Sequence, residues 1–118
     1  MQVLIHEDIS YKIIGTCRKV HSFLGHGFLE IVYKDAIQIE FEREKEFDIN
    51  YKGIILQHKF YADFFVMDSI IVEAKASNDG IPNDFIAQTL NYLKVSGCSL
   101  GLIINFGKAS LEYKRLVL

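Results

Sequence analysis

The sequence predicts an α/β layer fold, a mixed sheet with helices packed on it. Three observations carry that prediction. Apolar residues recur at helical intervals over residues 8–24, residues 59–66 and 70–76 read as two strands joined by a short turn, and a helical stretch then leads into another apolar strand at 99–106. A strand, helix and strand in succession imply a parallel pair with a right-handed crossover. A sheet that contains such a pair needs cover on both faces. With 118 residues, half of them apolar and a quarter charged, the chain is expected to be one domain over residues 1–118 with its own core.

The first helix rests on Ile9, Ile13, Cys17, Val20 and Leu24, spaced by four, four, three and four residues. Asp8 or Ser10 is placed to cap its start. Gly25-His26-Gly27 ends it, because glycine reaches the left-handed conformation at low cost. A second helix is expected from about residue 28 to 46. Tyr33, Ile37 and Phe41 recur there every four positions, and Lys34, Asp35, Gln38, Glu42, Arg43 and Lys45 fall mostly on the solvated side. Residues 47–51 alternate as a short strand, and Lys52-Gly53 forms a turn. Residues 59–66 and 70–76 form a hairpin around Met67-Asp68-Ser69, since both are rich in β-branched or aromatic residues. After the loop Ser77-Asn78-Asp79-Gly80, Pro82 suits a first helical turn. Phe85, Gln88, Thr89, Tyr92 and Leu93 share one face of that helix, which runs to Gly97. A strand follows at 99–106, then a short helical turn at Gly107-Lys108. Leu116-Val117-Leu118 is either a last strand or a packed tail.

Thirteen Lys and Arg against fifteen Asp and Glu give a net charge of −2. That excludes a protein that coats nucleic acid through bulk charge, so any nucleic-acid contact is local. No segment approaches the roughly 18 consecutive apolar residues of a membrane helix, and the N-terminus lacks a basic stretch followed by an apolar one. A cytoplasmic protein without membrane contact is expected. Cys17 and Cys98 form no CxxC and read as reduced core thiols. His6, His21, His26 and His58 form no metal-binding pair.

The informative residues are charges on stretches that otherwise read as buried. Glu73 and Lys75 interrupt the apolar run 70–76, and the two-residue period of a strand puts them on one face, about 7 Å apart. Asp63 is the lone charge of its strand, and burying an unpaired carboxylate is costly unless a cation or hydrogen-bond donors meet it. With a three-residue loop, Val66 pairs with Ile70 and Asp63 falls opposite Glu73. A two-residue loop would separate them onto opposite faces. Two adjacent carboxylates suit a hard cation such as Mg²⁺ or Mn²⁺, and Lys75 is then a candidate to orient or activate a water. Glu30, one turn before Tyr33, lies on the buried stripe of the second helix and could reach the same site. Gln88 and Tyr92, four residues apart, could turn an amide and a phenol towards it. Singly, each has a plain alternative: an ion pair for Glu73 and Lys75, backbone bonding for Asp63, a helix-start charge for Glu30, a surface amide for Gln88, core packing for the tyrosines. The joint pattern is what stands out.

Asp63, Glu73-Ala74-Lys75 and Gln88-Thr89-Leu90-Asn91-Tyr92 resemble the D…(D/E)xK…QxxxY pattern of the PD-(D/E)XK nuclease superfamily. Gly27-Phe28-Leu29-Glu30-Ile31-Val32-Tyr33 is similar to the signature of the small bacterial and archaeal GxxExxY proteins, and Leu102-Ile103-Ile104-Asn105-Phe106-Gly107 to their late LxNFG strand end. Ala62 stands where the superfamily name has Pro. The resemblance implies a restriction-endonuclease-like αβββαβ core. It also implies Glu30, Asp63, Glu73, Lys75, Gln88 and Tyr92 as catalytic residues, with Asp63, Glu73 and Glu30 at a Mg²⁺ or Mn²⁺ site. The implied activity is metal-assisted phosphodiester hydrolysis of nucleic acid, DNA ahead of RNA. A domain this small has few loops to grip DNA, so a homodimer or a larger assembly is expected. The competing expectation is a catalytically inactive nuclease-fold binding module or partner subunit.

Overall fold

The computed structural model describes residues 6–37 and 42–118. Helix α1, Glu7–Leu24, buries Ile13 and Cys17, with Ile9, Val20 and Leu24 packed beside them, as its stripe predicts. Neither Asp8 nor Ser10 caps it. The helix already begins at Glu7, ahead of both, so His6 takes the cap position in a left-handed conformation, and Ser10 Oγ donates back to the Glu7 carbonyl. Glu7 and Asp8 instead place negative charge in the first turn, where the helix dipole favours it.

Helix α2 is short, Glu30–Ala36, and Ile37 is already extended. The expected continuation to residue 46 does not form. Residues 38–41, with Gln38 and Phe41, lie outside the described residues, and Glu42–Phe47 is a strand, β1. Its Glu, Arg and Lys favour helix intrinsically. Pairing overrides that preference, because β1 runs antiparallel to β4, Phe60–Val66, as an edge strand whose charges suit solvent. The expected strand over 47–51 is divided. Phe47 ends β1, and Asn50–Tyr51 (β2) pairs with Ile54–Ile55 (β3) around Lys52-Gly53. Lys52 and Gly53 both have positive φ, 51° and 87°, as a tight hairpin requires.

Strand β5, Ile70–Lys75, returns antiparallel to β4 with Val66 opposite Ile70, so the three-residue loop is the one used. Helix α3, Asn83–Ser96, then crosses over to β6, Leu100–Asn105, which pairs parallel with β5. Residues 107–110 bend without a helical turn. The C-terminal alternative resolves to a strand, β7, Glu112–Val117, antiparallel to β6. The main sheet has the order β1-β4-β5-β6-β7.

One face packs on α1 and α2 through Val66, Ile70, Val72, Ala74, Leu100, Leu102 and Ile104. The other packs on α3 through Ile71, Ile103 and Leu93. This two-sided burial explains why β5 and β6 read as continuous apolar runs. Gly101 lets α3 come close, since a Cβ there would lie 3.2 Å from Leu93 Cδ1. Cys17 and Cys98 are buried and unpaired, and burial pushes the Cys17 thiol up to about 12. Among the described residues no helix is long and apolar enough to cross a membrane.

Candidate active site

The site begins where the backbone ladder between β4 and β5 stops. Regular pairing runs from Val66↔Ile70 to Phe64↔Val72, and the same register sets Asp63 opposite Glu73. At that point each carboxylate serves the other strand's backbone. The Asp63 N–H donates to Glu73 Oε2 at 3.1 Å, and the Ala74 N–H donates to Asp63 Oδ2 at 2.8 Å. Strand β4 also changes face here: Phe60 and Ala62 pack on the α3 side, Phe64 and Val66 on the α1–α2 side. Both acids are buried. Burial, then the charge of Asp63 and a hydrogen bond with it, push Glu73 up to about 9, so near neutrality it carries a proton.

The cation that meets Asp63 is Lys34, which the helical pattern assigned to the solvated side. Its Nζ lies 2.8 Å from Asp63 Oδ1, and 3.7 Å from both Glu30 Oε1 and Glu44 Oε1. Helix α2 has about two turns, and Glu30 and Lys34, four residues apart, lie on the same side of it. Glu30 is less buried than its place on the stripe suggested, with a side chain 41% exposed against 14% for Lys34. Burial alone would lower the Lys34 ammonium, but its bond to Asp63 and the charges of Asp63, Glu44 and Glu30 raise it above the usual lysine value.

An aromatic clamp fixes α2 in place. Tyr33 stacks on Phe106 with centroids 4.6 Å apart, and its hydroxyl donates to the Gly25 carbonyl and accepts from the Phe28 N–H. Gly27, with φ 109°, carries the chain through the turn between the helices. Next to Phe106, the wholly buried Asn105 accepts from the N–H groups of Ser77 and Gly107 and donates to the Ser77 carbonyl and Glu112 Oε1. Gly107 lies so close to Ser77 that a Cβ would stand 2.3 Å from its backbone nitrogen. The segments that resemble GxxExxY and LxNFG thus meet, and together they hold the ends of β5 and β6 against α2.

Lys75 shares the α3 side with Glu73 but makes no ion pair with it; its Nζ lies 4.3 Å from the centroid of the Phe85 ring. Gln88 sits on the exposed side of α3, and its amide donates to the Tyr92 hydroxyl. Tyr92 stacks on Phe60 at 4.1 Å, and its hydroxyl is raised by burial and by the charges of Glu73 and Asp63, against the lowering effect of Gln88. The structure therefore gathers Glu30, Asp63 and Glu73, with Tyr92 nearby, and leaves Lys75 and Gln88 at the margin. Sequence reasoning missed Lys34 and Glu44. The signal for Lys34 was Glu30, one helical turn away; Glu44 gave none, because its stretch read as helix. His21, which read as bland, is buried with Nε2 2.8 Å from the Lys108 carbonyl oxygen.

The donor chemistry fits a hard divalent cation. Three carboxylates surround the Lys34 ammonium, which stands in for a positive charge, and Glu73 lies beside them. They are more widely spaced than the roughly 2.0–2.6 Å oxygen shell of Mg²⁺ or Ca²⁺. Accordingly, among the described residues no three His, Cys, Asp or Glu side chains are close enough together to hold a metal ion as they stand. Beside the site, a cleft of about 620 Å³ opens between His26–Leu29 and Ala76–Asn78, the segments that adjoin Glu30 and Lys75 in sequence.

Comparison with known proteins gives the same frame. The sequence matches the PD-(D/E)XK nuclease superfamily over residues 7–116. No curated protein matches it. The crystal structure of SSO0001 is similar in fold, with TM-score 0.51 and 22% sequence identity over 65% of this chain; the chain spans 41% of that protein's length.

Proposed function

We propose that this chain, which belongs to the PD-(D/E)XK nuclease superfamily, is a divalent-metal-dependent nuclease that hydrolyses phosphodiester bonds, of the GxxExxY group within that superfamily. The observation that carries the reading is the crossing of Asp63 and Glu73, two buried carboxylates set face to face by the hairpin register. Nucleases of this superfamily generally use divalent metals. Asp63 and Glu73 would hold Mg²⁺ or Mn²⁺, with Glu30 as a further acidic contact. Such an ion supplies positive charge to a phosphoryl oxygen and lowers the pKa of a bound water. Lys75, at the end of β5, would leave the Phe85 ring to orient the attacking water or to meet negative charge as it develops. Tyr92, braced by Gln88 and Phe60, is close enough to Glu73 and Asp63 for their charge to raise its hydroxyl.

Superfamily membership implies nucleic acid as the partner. DNA is proposed ahead of RNA. Exposed Tyr51, Ile54 and Ile55 on the β2–β3 hairpin supply apolar surface for a homodimer. Nucleic acid as substrate and two buried, unpaired thiols fit a single cytoplasmic domain. A second reading, an inactive binding module, is favoured by Lys34, which already neutralises Asp63.

The test is cleavage of single- and double-stranded DNA and RNA with Mg²⁺, Mn²⁺ or EDTA, comparing wild type with Asp63→Ala and Lys75→Ala purified in parallel. Metal-dependent cleavage lost in both variants is the expected result. Cleavage that survives in the variants would identify a contaminant, and none by wild type would select the binding module.

A further inference from the structure

We propose that Lys34 is the resident counter-cation of this site: it holds Asp63 Oδ1 until a divalent ion displaces it, and so sets the metal concentration at which the site loads. The inference rests on the metal-dependent reading above and concerns the regulation of the same site. Asp63 has two carboxylate oxygens, and the backbone of β5 has already engaged one, since Oδ2 accepts the Ala74 N–H. The other, Oδ1, is bonded to Lys34. An incoming cation must therefore share or take the oxygen that the ammonium holds. A divalent ion and an ammonium on the same carboxylate repel each other strongly in a partly buried setting, so both do not stay.

The surroundings of Lys34 make the exchange feasible. Glu30 and Glu44 each lie 3.7 Å from its Nζ, within reach of a small side-chain rotation and on opposite elements, α2 and β1. With Glu30 turned to the ion, the displaced ammonium still has Glu44 to move to without leaving the site. Glu44 is held for this place at a cost. It stands opposite Asp63 in the β1–β4 register and has a φ of 52°, a left-handed conformation that non-glycine residues seldom adopt within a strand. Lys34 thus joins three carboxylates from three separate elements, which is more than a solvated helix face requires.

The experiment measures Mn²⁺ binding by electron paramagnetic resonance and Mg²⁺ binding by calorimetry, on wild type, Lys34→Met, Lys34→Arg and Asp63→Asn. Lys34→Met should bind either ion about ten- to a hundredfold more tightly than wild type, the scale on which groups around a metal site change affinity. Lys34→Arg should stay near wild type, and Asp63→Asn should lose binding. Equal or weaker binding by folded Lys34→Met, with Asp63-dependent binding in wild type, overturns the proposal and leaves the nuclease reading intact. Tighter binding by Lys34→Met without cleavage by any form supports the proposal and overturns only the nuclease reading. Absence of Asp63-dependent binding in every form overturns both. Should Lys34→Met fail to fold, wild type alone decides the matter. Its Lys34 ammonium resonance in ¹⁵N NMR, assigned by its loss in Lys34→Arg, should move on saturation with Mg²⁺, and no movement overturns the proposal.

Discussion

Two polar clusters lie near the same end of the sheet, and both bond side chains to the backbone of β5 or the loop that follows it. Around Asn105 the group is a neutral amide. It makes four bonds to Ser77, Gly107 and Glu112, and no exposed surface is left on it. Around Asp63 and Glu73 the groups are carboxylates; each gives one oxygen to the opposite backbone, and Lys34 meets a remaining one. A saturated cluster built on a neutral amide fixes geometry, because nothing in it gains by moving. A charged cluster with exchangeable partners is where a ligand can enter. The contrast assigns architecture to Asn105, Phe106, Gly107 and Tyr33, and chemistry to Asp63, Glu73 and Lys34.

Substitutions that keep shape but change charge test this contrast most directly. Asp63→Asn should lower metal-dependent cleavage by about a hundred- to a thousandfold, the scale on which a transition-state charge stabiliser is lost, while its melting temperature stays close to wild type. The comparison breaks if unfolding accounts for the lost activity. Gly107→Ala should do the reverse. Its Cβ would meet the Ser77 backbone at 2.3 Å, and a loss of about 4 kcal/mol in urea unfolding is expected, at the severe end of single substitutions. Asn105→Ala, which strands the half-buried N–H and C=O of Ser77 and the buried N–H of Gly107, should cost about 2–3 kcal/mol. In both, whatever fraction remains folded should bind Mn²⁺ with wild-type affinity.

The same contrast explains what could be read from the sequence. Asp63, Glu73 and their register were legible, because charges on apolar strands are conspicuous and the period of a strand leaves two options that the loop length decides. The β5–α3–β6 crossover was legible for a similar reason, in that β-branched runs and a bounded helix leave little choice. The end of α2 was not. Glu42–Phe47 carries helix-favouring residues and becomes a strand only because β4 offers it an edge to pair with, a fact that lies some twenty residues away in sequence. From that single miss follows the misplacement of Lys34 and the invisibility of Glu44. A helix continued to residue 46 would have left no edge strand beside Lys34, whereas the two-turn α2 followed by β1 sets it between Asp63 and Glu44.

Metal should stabilise the charged cluster and leave the neutral one indifferent. At a concentration about a hundredfold above its dissociation constant, Mg²⁺ would add roughly 2–3 kcal/mol, read as a melting temperature about 5 °C or more higher for a domain of this size. Asp63→Asn should abolish the rise, and Asn105→Ala should keep it although it starts from a lower baseline. An equal rise in Asp63→Asn would place the bound ion elsewhere on the molecule.

The last effect expected is on pH, and its sign is diagnostic. Glu73 keeps its proton in the native chain up to about 9 because burial and the charge of Asp63 oppose ionisation, whereas in the unfolded chain it ionises near 4.5. Below pH 4.5 both states hold the proton, and the stability linked to it is fully present. Between 4.5 and 9 the unfolded state has released it and the native state has not, so metal-free stability falls as pH rises. The expected change is a lower melting temperature at pH 8.5 than at pH 5.5, and Glu73→Gln should flatten that slope. A metal ion on Glu73 requires the ionised carboxylate, so loading below pH 9 releases a proton, which calorimetry reads as a binding heat that varies with the ionisation heat of the buffer. Loaded protein should therefore lose the downward slope. Asn105 has no proton to exchange, and its variants should shift the whole stability curve without changing its dependence on pH.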